Sequence, residues 1–135
     1  MPMMPTKVSF DRMEGDVAVL TCGGWLETQA SEDLKKVFST LLQEKGVKKI
    51  VMDLGDVDYV NSAALGTLLH YGTLLREGGG NLVFCSLKRN LHRLFDLVGL
   101  GKVFARVNTV EEALTTFGAA GKTPPTPRID LRPET

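Results

Sequence analysis

Two short apolar runs, Ile50-Val51-Met52-Asp53-Leu54 and Leu82-Val83-Phe84-Cys85, constrain the fold more than any other feature of this chain. A run of four or five nearly uninterrupted apolar residues suits a central strand buried on both faces, and such a strand needs helices on its sheet. Between the two runs, residues from about Ser62 to Glu77 carry a helical pattern that Gly78-Gly79-Gly80 stops abruptly. Strand, helix and strand in that order imply a βαβ crossover and parallel pairing.

The remaining segments fit around that unit. Val8 and Phe10 alternate with polar neighbours, Glu14-Gly15-Asp16 supplies a turn, and Val17-Ala18-Val19-Leu20 follows as a more apolar strand. This pattern predicts a hairpin with its first strand near an edge. Leu34, Val37, Phe38, Leu41 and Leu42 repeat at helical spacing, with Glu32 and Asp33 expected in the first turn and Gly46 at the end. A third helix carries Leu87, Leu91, Leu94, Phe95 and Val98 on one stripe and ends at Gly99-Leu100 in the manner of a Schellman motif. Val103-Phe104 reads as a short last strand. Thr109-Val110-Glu111-Glu112 matches a capping box, with Glu112 expected to reach back to the Thr109 amide, and opens a helix using Val110, Ala113, Leu114 and Phe117. The order ββαβαβα(β)α predicts an α/β fold, a mixed sheet of four or five strands with helices packed on it. The domain is expected over residues 1–117, and residues 118–135, rich in Gly, Pro and Thr, as a disordered tail.

Composition narrows the function. Sixteen basic and sixteen acidic residues give a net charge of zero, without the basic excess that nucleic-acid binding draws on. A local cluster of Lys88, Arg89, Arg93, Lys102 and Arg106 is broken by Asp96 and reads as a solvated face. Cys22 and Cys85 lie in strand-like runs and read as buried thiols of a reduced compartment, without metal-ligand spacing. Met1-Pro2-Met3-Met4-Pro5 lacks the character of a signal peptide, and no run approaches the roughly 20 apolar residues of a membrane span. The expected location is the cytoplasm.

The informative stretch runs from Val51 to Gly66. A buried strand ends, an acidic loop with Asp56 and Asp58 follows, and Ser62 opens a helix. Sites in open α/β sheets gather beyond the carboxyl ends of the strands. The first amides of a helix lack internal partners and, with the helix dipole, tolerate a phosphate. Phosphorylation of Ser62 would add about −1.5 to −2 charges and act on whatever docks there. At about 100° per residue, Leu65, Leu68, Leu69, Gly72 and Leu75 face the sheet, while Ser62, Gly66, His70 and Thr73 form a small-to-polar strip. Gly66 leaves room either for a partner backbone or for tight packing against the chain's own core. Taken alone, Ser62 is equally well an ordinary N-cap.

The span from Val8 to Phe117 resembles the STAS family, which includes bacterial anti-sigma factor antagonists, stressosome components and cytosolic parts of anion transporters. Gly24-Trp25-Leu26-Glu27 is similar to the family's Gly and acidic residue after the second strand, and Val51-Met52-Asp53-Leu54 to its apolar strand ending in Asp-Leu. Asn61-Ser62-Ala63-Ala64-Leu65-Gly66 resembles the signature Asp-Ser-Ser-Gly-Leu-Gly. Gly79-Gly80-Asn81-Leu82 and the stretch from Leu94 to Leu100 match later elements, the last with one extra residue. The resemblance implies that Ser62 is a phosphoacceptor, that an anti-sigma factor with serine-kinase activity modifies it, and that a phosphatase restores it. The unmodified form then sequesters the anti-sigma factor. Glu27, Asn61, Ala63, Gly66, His70 and Thr73 are the expected docking surround. Asn61, Ala63 and Ala64 depart from the signature, removing a charge, a hydroxyl and a glycine. No cofactor and no metal are implied.

Rival readings carry less. A hydrolase elbow wants Gly two residues either side of the serine, where this chain has Val60 and Ala64. His70 lies eight residues on, about 12 Å along the helix, and His92 falls on the solvent side of its helix. Gly121-Lys122-Thr123 has Thr116 where a phosphate loop needs Gly, and Pro124-Pro125 forbids a following helix. A weak nucleotide site remains by resemblance alone. A non-switching STAS subunit of a stressosome or transporter complex is the main alternative. Asp53, Asp56 and Asp58 read as solubilising charge rather than a cation site.

Overall fold

The computed structural model describes residues 7–44 and 46–117. Strand β1 (Lys7–Glu14) turns at Gly15, whose φ of +67° suits a residue without Cβ, into β2 (Val17–Leu26). Helix α1 (Thr28–Ser39) follows and closes with a π-turn at Thr40–Glu44. Then come β3 (Lys49–Val60), α2 (Ser62–Glu77), β4 (Asn81–Cys85), α3 (Arg89–Val98), a 3₁₀ turn at Leu100–Lys102, β5 (Ala105–Val107) and α4 (Val110–Phe117). The five strands stand in chain order, β1 antiparallel to β2 and every other pair parallel.

The two apolar runs are the buried centre. Val51 and Met52 are both fully buried although they point to opposite faces. Met52 joins the larger core with Leu34 and Phe38 of α1, Leu68 of α2 and Phe95 of α3. Val51 and Val83 join a smaller core beneath Ala113 and Phe117 of α4. Three helices thus cover one face of the sheet and one covers part of the other.

Several elements depart from the sequence reading. Helix α1 begins at Thr28, so Glu32 and Asp33 lie past its first turn; Ala30 and Ser31 are buried and extend the apolar face upstream. The last strand is Ala105–Val107, while Val103 and Phe104 belong to the turn before it. Phe104 packs edge-on against Phe84 instead of joining the ladder. On α3 only Leu91 and Phe95 are buried, and Val98 is 49% exposed, because Gly99 turns the chain away one residue later. On α2, Leu69 is exposed and Thr67 takes a place in the buried stripe with Ala64, Leu68, Gly72 and Leu75. The capping box closes one residue early: the Glu112 amide donates to Thr109 Oγ1, but its carboxylate accepts from the Asn108 amide. The tail expected from residue 118 lies outside the described residues.

The largest departure concerns the acidic loop. Asp56 and Asp58 belong to β3, which runs on to Val60 with Val57 and Val60 buried. β4 stops pairing at Asp53↔Cys85, whereas β2 continues beside β3 through Asp56↔Gly23, Tyr59↔Trp25 and Val60↔Leu26. Two register shifts, between Thr21 and Gly23 and between Gly24 and Trp25, break the alternation in this stretch. The strand signal is therefore blurred in sequence, and charge on the uncovered side completes the disguise.

Candidate docking site at the start of α2

The paired strands β2 and β3 deliver two helix starts side by side. The Asn61 amide donates to the Leu26 carbonyl at 2.9 Å, and Glu27 and Asn61 are the N-caps of α1 and α2. Asn61 has extended backbone, and its Oδ1 accepts from the Ala64 amide at 2.9 Å. Ser62 is thus the first helical residue and not the cap. Its side chain is exposed, and capping is satisfied without it. Glu27 is half-buried, makes no side-chain cap, and holds the helix start through its carbonyl, which accepts from the Ser31 amide at 2.9 Å.

Gly66, His70 and Thr73 are exposed along α2, as the helical strip predicts. A Cβ built on Gly66 meets no atom within 4 Å, which removes tight packing as the reason for this glycine. Ala63, Gly66 and His70 line a groove of about 470 Å³ between α1 and α2, facing Thr28, Ser31 and Lys35. Glu27, Asn61, Ser62 and Thr73 lie outside that groove. Its floor is a buried hydroxyl pair, Ser31 Oγ and Thr67 Oγ1 at 2.6 Å, and both hydroxyls also reach the Ala63 carbonyl, at 3.4 and 3.2 Å. Sequence reasoning missed this pair; the signal was two small polar residues at apolar phases of facing helices, where a hydroxyl is tolerated only with a partner.

Asp53 and Asp58 of β3 are engaged by the protein. Asp53 Oδ1 accepts from the Gly55 amide at 2.9 Å. Asp58 pairs with Lys88, and its carbonyl accepts from Asn90 Nδ2 at 2.9 Å, which ties the start of α3 to the end of β3. The basic cluster is not one solvated face, because Arg106 is only 2% exposed. Its guanidinium bonds Asp96 Oδ1 at 2.8 Å and the His92 carbonyl at 3.3 Å, and lies 3.2 Å from His92 Nδ1. His92 is accordingly half-buried beside Arg106, not on the solvent side. Cys22 and Cys85 are buried free thiols, both pushed up to about 12, chiefly by burial and further by the Asp53 carboxylate.

The family model of the STAS domain matches residues 11–113. The chain belongs to the STAS family. The Bordetella bronchiseptica protein BtrV, described as an anti-sigma factor antagonist, is 30% identical to this STAS domain over 114 residues, spanning 84% of this chain and 97% of its own. An anti-sigma F factor antagonist of Paenibacillus polymyxa is 26% identical, covering 73% of this chain and 85% of its own. Among solved structures, an anti-sigma factor antagonist from Mycobacterium paratuberculosis superposes with a TM-score of 0.72 at 20% identity, covering 83% and 93% of the two chains. Unphosphorylated SpoIIAA gives 0.69 at 16% identity, covering 84% and 99%. Those two structures carry the fold assignment alone. No helix among the described residues is long and apolar enough to cross a membrane.

Proposed function

We propose that this STAS domain is a cytoplasmic anti-sigma factor antagonist without catalysis of its own, gated by phosphorylation of Ser62. The reading rests on one observation: Asn61 caps α2, so the Ser62 hydroxyl is exposed at the first helical position and free of structural duty. In the unmodified state an anti-sigma factor with serine-kinase activity docks over Ser62, with Glu27, Asn61, Ala63, Gly66, His70 and Thr73 as the contact surround. Phosphate at Ser62 places about −1.5 to −2 charges in that contact and expels the partner, while the amides of the first helical turn tolerate the group without unfolding the helix. A phosphatase resets the switch. The relatives described as anti-sigma factor antagonists support the partner class.

The test is incubation with the cognate kinase and ATP followed by intact-mass and peptide analysis. One phosphate at Ser62, absent from Ser62→Ala, is the expected result. Stable binding of the partner without any phosphate transfer would replace the switch with the non-switching scaffold reading, which the altered residues Asn61, Ala63 and Ala64 otherwise favour.

A further inference from the structure

We propose that Trp25 and Tyr59 form an aromatic anchor for an arginine side chain of the docking partner. This rests on the docking reading above and adds the element that sets which partner is accepted. The two residues are direct neighbours across the parallel β2–β3 pair, one step before the last pairing at Leu26↔Val60. Leu26 and Val60 are 0% and 2% exposed, whereas Trp25 and Tyr59 on the opposite side of the strands are 39% and 47% exposed. The chain leads from this pair directly to Glu27 on one strand and to Asn61-Ser62 on the other. The aromatic surface and the phosphoacceptor therefore stand at the same end of the same two strands.

The backbone beside the pair is tied down before any partner arrives. The Asn61 amide is fixed to the Leu26 carbonyl, and Asp58, next to Tyr59, is held by Lys88 and Asn90. Large aromatic side chains held in place lose little freedom on binding, which is why Trp and Tyr dominate interface hot spots. The charge around them selects the occupant. Asp56 is exposed three residues before Tyr59, and half-buried Glu27 lies two residues after Trp25. Asp58 is already paired with Lys88. Aromatic surface at a strand end that also carries the carboxylates of Asp56 and Glu27 suits a guanidinium, which stacks on a ring and forks to a carboxylate, better than a compact ammonium.

Trp25 is the chain's sole tryptophan, so 5-fluorotryptophan labelling gives one ¹⁹F resonance that reads the anchor. Titration of the labelled, unmodified protein with the purified cognate anti-sigma kinase is expected to shift that resonance. Trp25→Ala and Tyr59→Ala should each weaken binding at least tenfold, Tyr59→Phe should retain it, and Asp56→Asn should weaken it several-fold with a flatter salt dependence. Thermal unfolding of Tyr59→Phe and Asp56→Asn should stay close to wild type, and circular dichroism should show both alanine variants folded at the assay temperature, since Trp25 and Tyr59 are 39% and 47% exposed and part of each ring packs on the protein. If wild type is bound and phosphorylated at Ser62 but the alanine variants bind equally well, the anchor is wrong and the switch stands. If wild type neither binds nor is modified, both fall. A resonance that moves with protein concentration alone would mean that a second copy covers the pair, which also overturns the proposal.

Discussion

Two glycines six residues apart in α2 should respond to alanine in opposite directions. In an exposed helix interior, Gly is about 1 kcal/mol less favourable than Ala. At Gly66 nothing opposes that gain, because the added Cβ meets no atom within 4 Å. Gly66→Ala should therefore stabilise the domain by roughly 0.5–1 kcal/mol. At Gly72 the same Cβ would lie 2.7 Å from Phe104 Cε1 and 3.0 Å from Leu82 Cδ2. Phe104 is fully buried and edge-on to Phe84 at a centroid distance of 6.0 Å, so its ring has little room to retreat. Overpacking of this kind costs about 1–3 kcal/mol, which outweighs the helical gain. The two alanine variants should differ by about 2 kcal/mol in urea unfolding, or about 8 °C or more in melting temperature at 4–8 °C per kcal/mol. Gly66→Ala should nonetheless lose partner affinity if a partner backbone seats there. A destabilised Gly66→Ala, or a neutral Gly72→Ala, would refute the assignment of one glycine to the surface and the other to the core.

Further outcomes are expected at other positions. Ser62→Asp should reduce affinity for the anti-sigma kinase at least tenfold in calorimetry while leaving the melting curve within a few degrees of wild type, since the side chain is exposed. Asn61→Ala should cost about 1 kcal/mol in chemical unfolding by losing the cap on the Ala64 amide, whereas Asn61→Asp should keep that stability. Both native thiols should resist Ellman's reagent at pH 8 and react fully in denaturant, because a group pushed up to about 12 stays protonated there. The same shift sets a pH dependence: the unfolded thiol ionises from about 9 while the folded one does not. Each contribution is therefore intact below pH 9 and declines above it, at up to about 1.4 kcal/mol per unit, measurable as a steeper alkaline loss in wild type than in Cys22→Ala.

The strands and helices of the core were legible because their burial is periodic. Val51-Met52 and Val83-Phe84 announce two-sided burial, and Leu34, Phe38, Leu91 and Phe95 announce one-sided burial. The end of β3 was not legible, since its buried positions, Leu54, Val57 and Val60, are spaced by three across the irregular pairing and its other residues carry charge into solvent. Ser62, Gly66, His70 and Thr73 could be placed on one exposed strip from helical geometry alone. What geometry in one dimension could not give was the company each residue keeps. Asn61 taking the cap from Ser62, Thr67 meeting Ser31 from another helix, and Arg106 folding inward onto Asp96 all depend on contacts that local spacing does not encode.

The run of β3 beyond its pairing with β4 leaves one flank of that strand with no neighbouring strand among the described residues, the kind of open ladder on which another chain could add itself. Side chains occupy two backbone groups of this stretch: Asn90 donates to the Asp58 carbonyl, and Asp53 accepts from the Gly55 amide. A visiting strand finds these groups already taken. On the docking reading proposed above, such an end would discourage sheet-to-sheet growth and leave recognition to side chains rather than to backbone zippering.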